Sequence, residues 1–262
     1  WKRIKPLMKK PEELPELDIP APETVTLKDL SFAYGDEPVF SGLSITARPG
    51  DIIGVTGPVA CGKSTFGRVF LCEAPYGGSA KFGPEEFSAL TPRQIAATVG
   101  YLGHDPELSA DTVRHNVLCG SEQDAMPYLA AVALKDEVLA MENGLDTMIG
   151  SGGTRLSGGQ AQRAAIARAI VDGPKVLLAD EPMSAIDVAA RVRILESFEA
   201  IRNAEPDMAI IMVSHDLGVV QHIADRILVL HDGRVAETGA TSEVLGHPQD
   251  EYTKRLVQAA SL

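Results

Sequence analysis

The sequence predicts an α/β fold: a mixed sheet at its centre, an antiparallel β region near the N-terminus and a helical insert mid-chain. Three observations carry this. Apolar runs of strand length recur as "DIIGVTG", "KVLLAD" and "AIIMVSHD". They read as buried strands because they are continuous rather than alternating. Helical stretches such as "GKSTFGRVFLCEA" and "TRLSGGQAQRAAIARAI" lie between them. Ahead of both, "TVTLKDLSFAY" alternates apolar and polar residues, and "VFSGLSITARPGD" does so more loosely before a Pro-Gly turn. These two read as strands.

The remaining elements follow in chain order. Trp1 to Lys10 is basic and amphipathic, with Trp1, Ile4, Leu7 and Met8 at helical spacing, and Pro11 to Glu23 is proline-rich and acidic. Residues 1–23 therefore read as the end of a preceding helix and a stiff linker, or else as a solvated tail. The chain begins at Trp1 rather than Met, which suggests a piece of a longer protein. The stretch "DAMPYLAAVALKDEVLAME" reads as helices with an apolar core face, and "RILVLHDGRVAETG" as a hairpin with an Asp-Gly turn. The closing "SEVLGHPQDEYTKRLVQAA" reads as short helices that pack rather than react.

Bulk composition narrows the partners. The 262 residues, 45% hydrophobic, suffice for one large domain or a domain with a subdomain. A net charge of −12 disfavours nucleic acid, which selects a basic face. Cys61, Cys72 and Cys119 are too few and scattered for a disulfide framework or a zinc site, so a reducing compartment is expected. No apolar run reaches membrane-spanning length, and no signal peptide is present.

The chemistry concentrates at strand ends. In "VTGPVACGKSTFG" a glycine loop joins a strand to a helix start. Gly57 and Gly62 let the backbone turn so that the amides of Pro58–Ser64, proline aside, face an anion, and the helix N-terminus adds partial positive charge. Pro58, Val59, Ala60, Cys61 and Thr65 complete the cradle. Lys63 can bridge β- and γ-phosphates, and the Ser64 hydroxyl can bind Mg²⁺. Asp180 ends the "KVLLAD" strand, where carboxylates face the ligand crevice, and so can hold Mg²⁺ through water. Glu181 points differently and can polarise an attacking water. His215 at the tip of "AIIMVSHD" suits a γ-phosphate contact. The glycines of "LSGGQ", Gly158 and Gly159, open a second helix N-terminus, with Ser157 as hydroxyl donor and Gln160 closing the motif.

With a phosphate loop, LSGGQ and an Asp-Glu strand end in register, the chain resembles the nucleotide-binding domain of an ATP-binding-cassette (ABC) transporter over most of its length, roughly 24–258. The resemblance implies a P-loop NTPase fold: a RecA-like mixed core, an antiparallel β subdomain and a helical subdomain, roughly 104–159, carrying LSGGQ. It implies that residues 24–262 form the domain and that ATP and Mg²⁺ are bound. Two domains would pair head to tail, each ATP held between one P-loop and the partner's LSGGQ, with Asp187 touching the partner. Hydrolysis would drive an attached transmembrane domain at the cytoplasmic face of a bacterial plasma membrane. Tyr34 matches the residue that stacks on adenine. His104 aligns where the switch loop normally carries a glutamine that meets Mg²⁺ and water.

Three departures stand out. His104 replaces that glutamine, which suggests weaker or pH-dependent γ-phosphate sensing. Ala60 replaces a usual P-loop glycine. The Glu-Arg pair that exporters often carry before the signature is absent from "MIGSGGTRLSGGQ". The N-terminal linker and "GLDTMIGSGG" resemble a fused exporter, whereas "HPQDEYTKRLVQAA" and "VSHDLGVV" resemble peptide-importer ATPases. An exporter motor is the favoured expectation. The alternatives are an importer ATPase, a non-transport ABC clamp and a regulatory cassette without turnover.

Overall fold

The computed structural model describes residues 21–58, 61–73, 75–150, 155–184 and 186–260. Val59 and Ala60 of the glycine loop, and the segment 1–20, lie outside the described residues.

Strand β1 (Val25–Tyr34) pairs antiparallel with β2 (Glu37–Ala47). The register shifts between Leu27 and Leu30, where Asp29 has a φ of 50° and its N–H donates to Ser44 Oγ. That irregularity keeps Val25, Leu27, Leu30 and Phe32 all buried despite their uneven spacing. Strand β3 (Ile52–Thr56) is buried throughout and leads through the glycine loop into α1 (Lys63–Phe70). Strands β4 (Gly77–Phe82) and β5 (Glu85–Glu86) extend the first sheet to the order β2-β1-β4-β5.

Helix α2 (Pro92–Thr98) opens on a reciprocal cap: Thr91 Oγ1 accepts from Gln94 N, and the Gln94 side chain accepts from Thr91 N. It runs directly into β6 (Val99–Leu102). The helical layer follows as α3 (Val113–Leu118), α4 (Met126–Ala131) and α5 (Lys135–Leu139). Helix α6 (Gly158–Ile170) leads to β7 (Val176–Asp180), α7 (Val188–Ala204) to β8 (Ala209–Val213), and α8 (Leu217–Ile223) to β9 (Arg226–His231). Strand β10 (Arg234–Ala240) returns through a two-residue turn in which Asp232 and Gly233 both have positive φ, 47° and 69°. Such a turn matches the strand twist. Helices α9 (Thr241–Gly246) and α10 (Glu251–Ala260) close the fold.

The second sheet has the order β10-β9-β3-β8-β7-β6, with every pair parallel except β9 with β10. Its strands alternate between two cores. Val55, Leu178 and Ile211 face the first sheet and α1, whereas Ile52, Leu177 and Ile210 face the helices. Both faces being covered explains why these strands are continuously apolar. Each fully buried Leu, Ile or Phe contributes about 1.5–3 kcal/mol, so this double-sided sheet is the rigid frame of the molecule.

The fold matches the expected α/β architecture, with differences in detail. The helix read over "GKSTFGRVFLCEA" stops at Phe70, and Cys72 just beyond it has a φ of 52°. Val99–Leu102, just ahead of His104, forms the edge strand of the second sheet, which the sequence did not signal. Among the described residues no helix is long and apolar enough to cross a membrane.

Candidate nucleotide site

Strands β3, β8 and β7 are neighbours and run parallel, so their C-terminal ends open on one edge. From β3 comes the glycine loop. Gly62 caps α1 with a φ of 93°, and a Cβ there would lie 2.6 Å from Val39 Cγ1. A glycine is therefore required both for conformation and for room. Lys63, only 6% exposed, folds back so that Nζ donates to the Gly57 carbonyl at 3.0 Å and the Pro58 carbonyl at 2.8 Å. Its ammonium is thus held at the mouth of the loop. Cys61 Sγ lies 4.0 Å from Lys63 Nζ; burial pushes its thiol pKa up and Lys63 opposes the shift.

From β7 come Asp180 and Glu181. Asp180 is 3% exposed, and its Oδ1 accepts a long hydrogen bond, 3.4 Å, from Ser64 Oγ. Burial holds its carboxyl above the usual range, with the Ser64 bond pulling the other way. Glu181 has a φ of 51°, a left-handed backbone that costs a non-glycine residue about 1–2 kcal/mol. Its N–H donates to the Val213 carbonyl at 2.9 Å, which ties this backbone to the end of β8. Strain at a strand end is a recurrent mark of functional positions.

From β8 comes His215. Its Nδ1 lies 2.8 Å from Glu181 Oε2, and its backbone N–H donates to Glu181 Oε1 at 3.1 Å. Lys63 Nζ stands 3.9 Å from the same carboxylate. Glu181 is therefore fixed from two sides, by a lysine and by a histidine.

Tyr34, Gly62, Lys63, Ser64, Thr65, His104, Glu181 and His215 all line one cleft of about 570 Å³. Tyr34 is 51% exposed at its rim, packed edge-on against Phe32. Its hydroxyl accepts from Arg68 at 3.3 Å and lies 3.5 Å from Thr65 Oγ1. The His104 ring lies beside Asp105, with Nε2 3.2 Å from Oδ2, and its carbonyl accepts from Ser184 Oγ. Val39 and Ser184 also line the cleft, and neither was singled out from sequence. Ser184 follows the strand end by one turn, its N–H bonded to the Glu181 carbonyl, so the acidic pair itself was the available signal. Val39 gives no such signal.

Ser157, Gly158, Gly159 and Gln160 do not line this cleft; they form the N-terminus of α6. Ser157 Oγ accepts from Gln160 N, and Gln160 Oε1 accepts from Ser157 N, a closed capping box. Asp187 likewise lies outside the cleft and caps α7, Oδ1 accepting from Ala190 N at 2.9 Å.

The residues present suit a triphosphate and a divalent cation. A nearly buried carboxylate with a raised pKa, facing a hydroxyl, is relieved by a positive charge. Among the described residues no group of three or more His, Cys, Asp and Glu could hold a metal ion, so phosphate oxygens and water would supply the remaining ligands.

A glycine loop between the central strand and a helix, with carboxylates at neighbouring strand ends, defines a P-loop nucleoside triphosphatase. Comparison with known proteins narrows the class. Residues 40–184 match the family model described as "ABC transporter". The chain is 33% identical to the ABC multidrug transporter MDR2 of Trichophyton equinum, over 96% of this chain and 20% of that protein. It is 35% identical to the methionine import ATP-binding protein MetN of Caulobacter vibrioides, over 90% of this chain and 73% of the relative. With the mycobactin import ATP-binding/permease protein IrtB of Mycolicibacterium thermoresistibile it shares 37% identity, over 86% and 39%. A solved bacterial Atm1-family ABC exporter with ATP bound superposes with a TM-score of 0.82 at 27% identity, covering all of this chain and 47% of that one. The chain belongs to the ABC transporter family, and its fold is that of the family's ATP-hydrolysing domain. It spans about a fifth of the length of the MDR2 relatives it matches.

Proposed function

We propose that this chain is the ATP-driven motor domain of an exporter, residues 24–262, entered through a linker at 1–23 from a membrane domain. The helical subdomain, roughly 104–159, would meet that membrane domain at the cytoplasmic face of a bacterial plasma membrane. The observation that carries the ATPase reading is the fixed trio of Lys63, Glu181 and His215 above the Ser64–Asp180 pair.

The residues divide the work. The loop amides and Lys63 bind the β- and γ-phosphates. Ser64 and Asp180 would hold Mg²⁺, with His104 on the cleft wall as the further candidate. The ion, when bound, neutralises phosphate charge. Glu181, oriented by His215, takes up the proton of the attacking water and aligns it with the γ-phosphate. Tyr34 stacks on the adenine.

The α6 N-terminus is a second anion site outside the first cleft, which suits nucleotide shared between two cassettes. Head-to-tail pairing closes two such sites in one two-fold dimer, with Asp187 at the seam. The partner is a second nucleotide-binding domain, identical or not.

A second reading, an importer ATPase, is favoured by the likeness to MetN over 73% of that protein. The relatives named as multidrug transporter and as Atm1-family exporter support export. Both readings predict Mg²⁺-dependent phosphate release by the chain, lowered about 10²–10⁴-fold in Glu181→Gln. Release that is unchanged in that variant would remove Glu181 from its role and with it the proposed mechanism.

A further inference from the structure

One carboxylate outside the cleft makes more ion-pair and hydrogen-bond contacts than a surface charge needs. Glu137 Oε2, on α5, accepts from Gln160 Nε2 at 2.8 Å. Arg163 NH2 reaches both Glu137 oxygens, at 2.9 and 3.1 Å, and Arg193 NH1 reaches Oε1 at 2.7 Å. Gln160 and Arg163 belong to α6, and Arg193 to α7. A single side chain thus ties three helices.

Gln160 is the centre of this arrangement. Both ends of its amide are occupied: Oε1 accepts from Ser157 N and Nε2 donates to Glu137. The side chain is not free to reach a nucleotide. It relays the position of Glu137 to the backbone that opens the second anion site. Arg163, 4% exposed, braces the same turn, donating to the Gly159 and Ala133 carbonyls as well. Arg193 extends the link to the helix whose first turn is capped by Asp187.

We infer that Glu137 is a positioning residue, holding Gln160 and the α6 N-terminus in register with the Asp187 end of α7. The second anion site and the partner-facing loop then move as one body. The Glu137 carboxyl supports this: burial alone would raise its pKa, yet the bonds from Gln160 and Arg163 hold it below the usual range. A carboxylate held that way is ionised and engaged at all physiological pH.

The inference rests on the two-cassette reading above, so its test has an arm that does not. Amide exchange at Ser157 is measured in the ATP-free chain for the parent, Glu137→Gln and Arg193→Gln. Glu137→Gln is expected to speed Ser157 exchange at least tenfold. Arg193→Gln, which changes an exposed side chain and leaves no buried charge unpaired, should leave it within twofold. Unchanged exchange in Glu137→Gln would overturn the inference, whether or not the chain dimerises. The second arm measures ATP-driven dimerisation in a Glu181→Gln background. Both substitutions should weaken dimerisation, about tenfold for Glu137→Gln and about threefold for Arg193→Gln, while affinity of the monomer for ATP stays within twofold. Full dimerisation of the Glu137→Gln chain would overturn the inference while the two-cassette reading stands. A Glu181→Gln parent that never dimerises contradicts that reading instead, and the exchange arm then decides whether Glu137 positions Gln160.

Discussion

The P-loop cleft and the α6 N-terminus, proposed above as two anion sites, are built by different means. The P-loop site sits on the edge of a sheet buried on both faces, and its groups arrive from three neighbouring strands. Its rigidity comes from apolar packing beneath it. Helix α6 is also packed, with Ala161, Ala164, Ala165 and Ile166 in the helical core, but its first turn carries a second set of restraints. It depends on a capping box and on a polar lattice centred on Glu137. Packing is non-directional and hard to undo with one substitution, whereas a polar lattice fails when one member is lost. The proposed chemistry thus sits on the stiff half, and the half proposed to meet a partner is the more adjustable one.

The largest effect is expected on the stiff half. Glu181→Gln should lower phosphate release about 10²–10⁴-fold with little change in ATP affinity, measured by turnover and by equilibrium binding. An equal loss of both would mean that Glu181 binds rather than reacts.

Next comes the adjustable half. Ser157→Ala removes the cap of α6 and should cost about 1 kcal/mol of stability in chemical denaturation. ATP affinity of the isolated chain should be unaffected, since the first cleft is untouched. A matching loss of monomer affinity would erase the distinction between the two sites.

Asp180 sharpens the comparison through pH. Its folded-state pKa is raised by burial, so ionisation is harder in the folded chain than in the unfolded one. The penalty is absent below the unfolded value near 3.8, grows as pH rises towards the folded value, and is complete above it. Asp180→Asn should therefore raise the ATP-free melting temperature at pH 7. The gain should vanish as pH falls towards 4, and Mg²⁺-dependent turnover should be lost at every pH. A lower melting temperature at pH 7 would show that Asp180 is structurally paired.

The smallest effect concerns Tyr34. Loss of one stacking face in Tyr34→Ala should weaken ATP binding roughly three- to tenfold, while Tyr34→Trp should preserve it. Unaltered affinity in Tyr34→Ala would assign Tyr34 to packing with Phe32 and Arg68 instead.

The same division governed what could be read from sequence. Strands β3, β7 and β8 were legible because burial on both faces leaves apolar runs, and the residues at their ends inherit a predictable location. Lys63, Ser64, Thr65, Glu181 and His215 line one cleft, with Asp180 bonded to Ser64 beneath it. Strand β6 was not legible. It has four residues, follows α2 with no intervening turn, and exposes Tyr101 at the sheet edge. Glu137 was invisible for another reason. It lies in an acidic-basic helix where charge usually means solvent, and its partners are 23, 26 and 56 residues away. Local pattern reports burial, not long-range polar pairing.

In the head-to-tail reading, ATP completes its site only between two cassettes. Light scattering on the Glu181→Gln chain, with and without ATP and Mg²⁺, tests it most directly. A monomer that doubles in mass when ATP is added is the expected result. A chain that is saturated with ATP and remains a monomer would contradict it.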